Sequence, residues 1–356
     1  DIARPIRAIL KDGKNIQVIL DEVISIDKEQ NLVNLKYEGA ISFDFLILAV
    51  GARHSYFGKD HWEKFAPGLK TLNDALSIRE KVLLSFEKAE ITENPIEREK
   101  YLNFVVVGGG PTGVEMAGAI SEIARQTMSK DFRHIDPSQA KIYLIEGSDR
   151  LLRAFDPNLS DYTLKTLENQ MSVNVMLKSV VTDVSEEGVR VGDLFIPTTN
   201  IVWAAGNVAS PILKTLNVEL DKMGRVIVDR DLSIPDFHNI FVIGDASNAK
   251  DAKGELLPAL APVATQSGEY IAKIIKENKS KEQRKPFNYF DKGSMATIGR
   301  AKAVAHIGKL NFTGIFAWLT WIFVHIMFLI GFRNKVAVMI EWFWFYITGQ
   351  RSARLI

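Results

Sequence analysis

The sequence has 356 residues, of which 47% are hydrophobic and 24% charged, so it is long enough for two or three folded domains and is not a disordered chain. It contains no cysteine, which excludes disulfide exchange, thiolate nucleophiles, iron–sulfur clusters and cysteine zinc sites. The formal net charge is +1 but uneven, because residues 293–356 hold seven basic residues and one acidic residue.

The first hundred residues are predicted to form short strands, one helix and a connector. Apolar or alternating runs between turn residues predict strands at 16–20, 32–37 and 45–50. A helix is predicted over 70–89, with Thr71 or Asn73 as its N-cap. The polar stretch 92–100 contains a proline and is interpreted as a connector.

Strands and helices are predicted to alternate along the middle of the chain. The predicted strands are 104–107, 141–145, 173–177 and 240–243, and the predicted helices are 112–128, 159–170 and 261–276. Residues 132–139 and 279–285 are interpreted as loops, the second solvated because it is a run of charges. This alternation indicates α/β domains with parallel sheets.

A glycine-rich turn follows the predicted strand 104–107 and opens a predicted helix. In this G-x-G-x-x-G pattern Gly108 permits a tight turn, Gly110 lets the backbone approach a pyrophosphate, and Gly113 lets the helix pack close to the strand. With Pro111 and Thr112 it offers the N–H groups and positive end of a helix to phosphates. The motif alone often marks a plain turn, but its strand–helix context predicts a dinucleotide site.

Two acidic residues accompany the turn. Glu146 ends the next predicted strand, where a carboxylate accepts hydrogen bonds from an adenosine ribose and repels a 2′-phosphate, which favours NADH over NADPH. It lies farther from the motif than is usual, and the loop 132–139 accounts for the excess; the alternative is a surface acid at a strand end. Glu115 lies just inside the helix, where the helix dipole alone also favours an acid.

Three predicted strands end in a small residue or glycine. These junctions are 46–52, 201–206 with Ala205 and Gly206, and 239–245 with Gly244 and Asp245. Glycine lets a cofactor approach the backbone, and a carboxylate at a strand end can hold a sugar-alcohol hydroxyl. Each junction alone is also explained as an ordinary turn, whereas three of them around one dinucleotide motif favour a second nucleotide site.

Together these residues resemble the two-dinucleotide-domain flavoproteins, and within them the type II, non-proton-pumping NADH:quinone oxidoreductases. The most family-specific stretches are 203–206, 261–266 and 291–300, and the resemblance covers the whole chain. It implies an α/β fold of two Rossmann-like domains, with the NAD domain inserted into the FAD domain. The implied divisions are 1–68 and 209–290 for the FAD domain, 69–208 for the NADH-binding domain and 291–356 for a membrane-anchor region.

The resemblance also implies roles for individual residues. Glu115 and Gln266 are the implied catalytic residues, the first assisting proton movement beside the nicotinamide and flavin rings and the second lining the quinone side. Because Pro262 and Ser267 stand where the family often has glutamines, Gln266 is left as the main polar contact. The implied FAD and NADH ligands are Gly51, Gly108, Gly110, Pro111, Thr112, Gly113, Glu146, Ala205, Gly206, Gly244, Asp245, Ala261 and Val263.

One departure from the family concerns the FAD pyrophosphate. The family begins with its own G-x-G-x-x-G turn, and this sequence has no second such turn. We therefore expect a chain that lacks the first FAD βαβ unit and binds FAD poorly by itself. His54 and His61 are interpreted as surface residues, and no spacing of residues predicts a metal site.

The C-terminal segment is the most apolar part of the sequence. Residues 312–332 carry no charge, and His325 is their one ionisable group, so by length they could span a bilayer. A second apolar run, 336–347, is too short to span. Clustered tryptophans and basic residues favour a monotopic anchor in one leaflet over a spanning helix. Lipid is therefore the expected partner, nucleic acid is not, and the segment is compatible with a homodimer.

The expected activity is hydride transfer from NADH to FAD and electron transfer to a membrane quinone, at the cytoplasmic face of a bacterial-type inner membrane. A soluble NADH oxidase or ferredoxin reductase of the same superfamily is one alternative. The absence of cysteine disfavours the oxidase and the apolar C-terminal segment disfavours the ferredoxin reductase. A non-catalytic nucleotide-binding membrane protein is the alternative from another class.

Overall fold

The computed structural model describes residues 5–329 and 332–348. Its α-helices are α1 (Ile6–Leu10), α2 (Leu72–Ile91), α3 (Pro95–Leu102), α4 (Pro111–Glu122), α5 (Pro157–Met171), α6 (Ala261–Lys276), α7 (Gly314–Phe328) and α8 (Phe332–Thr348). Its strands up to residue 203 are β1 (Val23–Asp27), β2 (Leu32–Leu35), β3 (Ala40–Ser42), β4 (Leu46–Leu48), β5 (Ala52–His54), β6 (Asn103–Val107), β7 (Lys141–Ile145), β8 (Val173–Met176), β9 (Val181–Ser185), β10 (Gly188–Val191), β11 (Leu194–Pro197) and β12 (Asn200–Trp203). The later strands are β13 (Asn207–Ala209), β14 (Val226–Ile227), β15 (Ser233–Ile234), β16 (Phe237–Val242), β17 (Ser247–Asn248), β18 (Ser294–Gly299), β19 (Lys302–Ile307) and β20 (Leu310–Thr313).

The chain divides into two compact units. The first contains residues 54–206 and the C-terminal residues from 293, together with the N-terminal residues to 9. The second contains residues 10–53 and 207–292. The predicted α/β class is confirmed, because parallel strands alternate with helices in the first unit and a parallel pair, β4 and β16, lies in the second.

A four-stranded parallel sheet forms the centre of the first unit, in the order β12-β6-β7-β8. Every residue of β6 is buried, which explains why its residues 104–107 are a continuous apolar run rather than an alternating one. The chain leaves β6 through α4 and passes to one side of it, whereas β12 pairs with its other side. The order of strands therefore reverses between β6 and β12, the position at which such sheets bind ligands.

The C-terminal strands pack against the same unit. Strands β18, β19 and β20 form an antiparallel sheet, and Ala296, Ile298 and Val304 join the core that α4 and the parallel sheet share. A Cβ on Gly118 of α4 would clash with the carbonyl oxygen of Ile298, so glycine there permits the close approach of helix and sheet. Helix α7 covers β19 with Ala317 and Trp318.

The second unit is built from small sheets and one long helix. Strands β1–β3 form an antiparallel sheet, and β15, β16 and β4 form another in which β16 and β4 are parallel. Helix α6 packs Ile271 and Ile274 onto Phe241. Its apolar residues recur at helical spacing, so one face is buried and the other is polar.

Several local predictions were wrong. Residues 16–20 form no strand, since within the described chain no strand pairs with them and Leu20 is exposed. Residues 92–100 are not a plain connector: α3 starts at Pro95, because the Asn94 side chain accepts from the backbone N–H groups of Ile96 and Glu97. Predicted helix 112–128 is α-helical only to Glu122 and continues as a π-helix over Ile123–Thr127.

The charged run 279–285 is also not a solvated loop. It contains a 3₁₀ turn, Lys281–Gln283, and the Arg284 side chain is almost fully buried. Arg284 and Lys281 both bond the carboxylate of Asp231, which is 5% exposed. A buried carboxylate requires such partners, and this requirement draws the charged segment into the fold.

The C-terminal apolar segment is divided between strand and helix. Phe312 lies in β20, and α7 ends at Phe328, so the segment 312–332 is not one continuous helix. Within the described residues, the helices are all too short or too polar to cross a bilayer. His325 stacks on Trp321 in α7, and Trp321 stacks on Trp342 of α8 at a ring-centroid distance of 5.5 Å.

Candidate functional site

The glycine-rich turn lies at the reversal point of the parallel sheet. Gly108 has a φ of +111°, which strains any other residue, and a Cβ there would lie 2.7 Å from the carbonyl carbon and oxygen of Ala204. A Cβ on Gly113 would clash with the Gly108 carbonyl oxygen. These two glycines therefore hold β6, the turn and α4 together, as their spacing predicted.

The surroundings of Gly110 differ from those of the other two glycines. A Cβ built on it would meet nothing within 4 Å, so this glycine faces open space. It is the N-cap of α4, and no side chain caps this helix end. Pro111 occupies the first turn, where its missing N–H costs nothing, and Thr112 is exposed beside it. The helix end thus presents N–H groups and partial positive charge to solvent.

Glu146 is held by the turn itself. Its Oε2 accepts the backbone N–H of Gly109 at 2.5 Å, and its Oε1 accepts that of Ser148 at 2.7 Å. A carboxylate has about four acceptor positions, so each oxygen keeps one for a further donor. Two neighbouring hydroxyls of a ribose match that pair. Glu146, the residue predicted to bind the ribose, is therefore held in its orientation before a nucleotide binds.

The turn and Glu146 share one cavity of about 280 Å³. Its walls are Gly109, Gly110, Pro111, Glu146, Ser148, Arg150, Leu152, Arg153, Ala154 and Phe155. The sequence predicted the glycines and Glu146 but missed Arg150 and Arg153. Their signal was present, because both arginines follow Glu146 within seven residues.

The end of β12 lies against the turn. A Cβ on Gly108 would lie 2.8 Å from the Ala205 nitrogen, so Ala204 and Ala205 pass directly beside the glycine-rich turn. Gly206 has a φ of +70°, and the Phe57 ring lies where its Cβ would be. Phe57 is itself in the left-handed region, at +53°, and is exposed. Phe57 was not predicted from the sequence as a site residue.

Glu115 extends from α4 to β18. Its Oε1 accepts the backbone N–H of Thr297 at 3.2 Å and the Thr297 hydroxyl at 3.4 Å. Burial raises the pKa of Glu115, and the two hydrogen bonds from Thr297 only partly oppose this rise. The carboxyl therefore holds a proton more readily than an exposed glutamate, which suits a group that takes up and releases protons.

The second unit brings together several of the residues assigned to FAD. Gly51 and Gly244 both have a φ of +63°, and a Cβ on Gly51 would meet nothing within 4 Å. A Cβ on Gly244 would lie 3.1 Å from that of Ala264, so the first turn of α6 packs on this glycine. Asp245 is half-buried in the 3₁₀ turn Gly244–Ala246 that follows β16.

The other predicted site residues of α6 differ in their exposure and in their contacts. Ala261 is exposed at the start of the helix, which no side chain caps. Val263 donates its backbone N–H to the Leu260 carbonyl, and its buried side chain belongs to the apolar core. Gln266 donates from Nε2 to the Phe290 carbonyl at 3.0 Å and accepts the Phe290 N–H at 2.9 Å. It thereby fixes the backbone of an exposed phenylalanine.

These surroundings fit the two implied cofactors in different degrees. The open helix end, the cavity and the pre-oriented Glu146 fit the pyrophosphate and adenosine of NADH. The open left-handed Gly51 and the uncapped start of α6 fit the close approach of a flavin and its chain. The sequence supplies one glycine-rich phosphate turn, and that turn belongs to the first unit.

The two histidines that were predicted to lie on the surface differ in their exposure. His61 is exposed as expected, but His54 is half-buried against Gly68, so its placement on the surface was wrong. Burial lowers the pKa of His54, and Lys70 adds to this effect. The described residues contain no cluster of three or more metal-ligating side chains.

Two family models match the sequence. Residues 2–268 match the pyridine nucleotide-disulphide oxidoreductase family, and residues 292–351 match the NDH2 C-terminal domain. Among curated proteins, the type II NADH:quinone oxidoreductase NdhA of Mycobacterium tuberculosis is 42% identical over 96% of this chain and 75% of its own length. The type II NADH:quinone oxidoreductase Ndh of the same organism is 40% identical, over 99% and 78%.

A solved structure shows the same fold. The structure of NDH2 from Plasmodium falciparum in complex with NADH superposes with a TM-score of 0.85 and 21% sequence identity. The superposition covers 93% of this chain and 84% of that one. The similarity extends across both units and therefore supports the α/β fold predicted from the sequence.

Proposed function

The chain belongs to the pyridine nucleotide-disulphide oxidoreductase family and carries an NDH2 C-terminal domain, and we propose that it is an FAD-dependent NADH:quinone oxidoreductase. The observation that carries the proposal is the cavity in which the uncapped start of α4 and the pre-oriented Glu146 occur together. The close similarity to two type II NADH:quinone oxidoreductases gives the reaction its direction, from NADH to a quinone without proton pumping.

NADH binding is the task of the first unit. The N–H groups of the α4 start and the helix dipole neutralise part of the pyrophosphate charge. Glu146 accepts the two ribose hydroxyls with its remaining acceptor positions. Ala205 and Gly206 continue this surface at the end of β12, where Ala205 passes beside Gly108 and a side chain at Gly206 would meet the Phe57 ring. Together these contacts orient the nicotinamide.

FAD, when bound, accepts hydride from NADH and passes two electrons on to a quinone. Gly51 and the start of α6 at Ala261 leave room for it to approach the backbone, and Gly244 lets α6 pack close to the end of β16. Asp245 follows β16 directly, where its carboxylate can accept from a ribityl hydroxyl. These residues would hold the flavin cofactor and orient it toward NADH.

Glu115 serves as the proton-holding group. Its pKa is raised by burial, so its Oε2 can carry a proton while Oε1 remains bonded to Thr297. Gln266 acts on the quinone side by fixing the Phe290 backbone through two hydrogen bonds. The exposed ring of Phe290 offers an apolar surface for a quinone.

The C-terminal helices serve as the membrane anchor in this proposal. Exposed Phe316 and Phe323 give α7 an apolar outer surface, opposite the side that packs on β19. Basic residues flank these helices, as at anionic lipid surfaces. We place the protein at the cytoplasmic face of a bacterial-type inner membrane, as a monotopic protein that is compatible with a homodimer.

The domain division follows the same reasoning. We assign 1–68 and 209–290 to FAD binding, 69–208 to NADH binding and 291–356 to membrane anchoring. The two compact units divide after residues 9, 53, 206 and 292. The C-terminal strands belong by contact to the first unit, because they share a core with α4.

A spectroscopic assay tests the proposed activity. The full-length protein is purified in mild detergent, its flavin absorbance is recorded, and NADH is added without and then with a short-chain quinone. We expect NADH to bleach the flavin and the quinone to restore its colour, with continued NADH oxidation. A flavin that NADH does not bleach contradicts the proposal. Bleaching without any response to quinone favours the ferredoxin reductase or oxidase branch instead.

A further inference from the structure

Residues 56–59 form a tight turn with an unusual central residue. Lys59 donates its N–H to the Tyr56 carbonyl at 3.0 Å, and the two residues between them, Phe57 and Gly58, have φ angles of +53° and +84°. Positive φ at both central positions is the mark of a type I′ turn, which favours asparagine, aspartate or glycine. A bulky phenylalanine in this conformation is a backbone outlier. Such strain persists only where the surrounding structure enforces it, and it is concentrated at functional sites.

The turn is anchored on both sides of Phe57. Tyr56 is buried, and its hydroxyl donates to the Ala66 carbonyl at 2.8 Å. The Lys59 side chain donates to the Thr182 carbonyl, also at 2.8 Å. The Phe57 side chain itself is 70% exposed, so apolar burial does not account for a phenylalanine at a position that asparagine or glycine would occupy without strain.

The ring of Phe57 lies over the end of β12. Its Cζ is 2.7 Å from the position that a Cβ on Gly206 would occupy, and its centroid is 6.4 Å from that of Trp203 in an edge-on arrangement. Ser55 joins the same two segments, because it donates its N–H to the Gly206 carbonyl at 3.3 Å and its own carbonyl accepts the indole N–H of Trp203 at 2.9 Å. The exposed ring is thus held beside the strand end that passes the glycine-rich turn.

The two halves of a dinucleotide are expected on opposite sides of that turn. A dinucleotide binds across the point where the order of strands reverses, with its pyrophosphate at the helix start. Glu146 follows β7, which pairs with one side of β6, so the adenosine half belongs on that side. The nicotinamide half therefore extends toward β12, which pairs with the other side of β6. Gly206 and the Phe57 ring lie at the end of β12.

We propose that Phe57 binds the nicotinamide ring of NADH by stacking its own exposed ring on it at the end of β12. An aromatic side chain offers a large contact area and loses little freedom on binding, since it rotates about only two bonds. A nicotinamide contact accounts for an exposed phenylalanine in a turn that favours asparagine. The inference rests on the proposed function of the first unit in binding NADH, and it assigns a residue to the half of NADH that does not lie beside Glu146.

Ligand binding tests the inference without turnover. The full-length protein with its flavin is titrated by calorimetry with NAD⁺, which does not reduce the flavin, and with ADP-ribose, which is NAD⁺ without its nicotinamide. We expect Phe57→Leu to bind NAD⁺ about tenfold more weakly than wild type does, because ring stacking is lost, and to bind ADP-ribose equally well. Phe57→Tyr keeps the ring and should retain the wild-type affinity for both ligands.

Phe57→Asn separates ligand binding from folding. Asparagine suits a type I′ turn, so this variant should have a thermal midpoint about 2 °C above that of wild type and yet lose about tenfold in affinity for NAD⁺. A lower midpoint, or an affinity for ADP-ribose that falls together with the affinity for NAD⁺, would show that Phe57 only supports the fold.

The control replaces another exposed phenylalanine of the first unit. Phe195 lies in β11 and is 40% exposed, so Phe195→Leu should leave both affinities unchanged. The inference is overturned if Phe57→Leu loses no more affinity for NAD⁺ than Phe195→Leu does. Quinone-dependent oxidation of NADH by wild type tests the proposed function separately. An inactive wild type contradicts that function, while the two affinities still decide whether Phe57 contacts the nicotinamide.

Discussion

At the scale of single residues, the glycines of the turn have separable tasks. Gly108 and Gly113 lie against backbone atoms, so a side chain at either position meets groups that cannot move away. Gly110 faces open space at the end of a helix, so a side chain there meets a ligand before it meets the protein. Stability and ligand binding are thus assigned to different members of one motif.

Replacing these glycines with alanine should separate the two tasks. Gly113→Ala places a Cβ on the Gly108 carbonyl oxygen and should lower the free energy of unfolding by about 3 kcal/mol. Gly110→Ala should cost about 1 kcal/mol, the usual loss at an N-cap, but raise the KM for NADH about tenfold. Urea unfolding measures the change in the free energy of unfolding of each variant, and steady-state kinetics measures its KM for NADH. Equal loss of stability in the two variants contradicts this assignment.

Glu115 should make stability depend on pH. Because burial raises its pKa above the ordinary 4.5, its contribution to stability is complete below that value and is lost as pH rises through the folded-state pKa. Glu115→Gln removes the charge but keeps an acceptor for Thr297. Its thermal midpoint should therefore exceed that of wild type by an amount that grows as pH rises above 4.5 and becomes constant above the folded-state pKa.

The control for this prediction is Glu168→Gln, which changes an exposed glutamate of α5. It should shift the thermal midpoint little at any pH. In the quinone assay Glu115→Gln should lower kcat, since an amide cannot hold and release a proton. A midpoint that tracks wild type at every pH would show that the Glu115 carboxyl ionises at no cost to the fold.

At the scale of elements, one buried carboxylate fixes a whole segment of the second unit. Asp231 bonds Lys281 at 2.7 Å and Arg284 at 3.0 Å, and Arg284 also donates to the His238 carbonyl. Burial raises the pKa of Asp231, but hydrogen bonds from Lys281, Ser233 and Arg284 outweigh it and hold the pKa below its ordinary value. The run 279–285 is therefore attached to the sheet by charge, whereas Phe287 beyond it packs into the apolar core.

Removing this carboxylate should destabilise the second unit. Asp231→Asn leaves Arg284 buried without its counter-charge and should lower the free energy of unfolding by about 3 kcal/mol at neutral pH. Because the folded-state pKa is depressed, the loss should shrink as pH falls below 3.8. Asp161→Asn breaks the exposed pair with Lys165 and should cost less than about 0.5 kcal/mol. Chemical unfolding of the two variants tests the contrast.

The Asp231 cluster also shows what the sequence could not predict. Asp231 and Arg284 are 53 positions apart, and nothing local marks them as partners, so the run 279–285 was interpreted as solvated. The turn 108–113 was predicted because its glycines, strand and helix are adjacent in sequence. Helix α3 was missed although Asn94 and Pro95 form a local start signal, since polarity was weighed above capping.

At the scale of the whole molecule, the excess of basic residues and the exposed apolar side chains are both concentrated toward the C-terminus. Helix α7 buries Ala317 and Trp318 against β19 and exposes an apolar stripe on the other side. Phe316 and Phe323 belong to that stripe, at a spacing of two helical turns. Exposed aromatic residues of this number are costly in water, and a lipid surface removes that cost.

Removing two rings of the stripe should release the protein from lipid. Phe316→Ser/Phe323→Ser loses apolar surface that a lipid leaflet would bury, so binding to phosphatidylglycerol vesicles should fall about a hundredfold. Ile91→Ser/Ile96→Ser changes two equally exposed apolar residues far from α7 in sequence and should leave vesicle binding unchanged. Flotation of both double variants, with NADH oxidation by a soluble acceptor as a check on folding, measures the difference. If the phenylalanine variant floats as wild type does, these side chains do not enter the lipid, and the anchor must lie elsewhere in the chain.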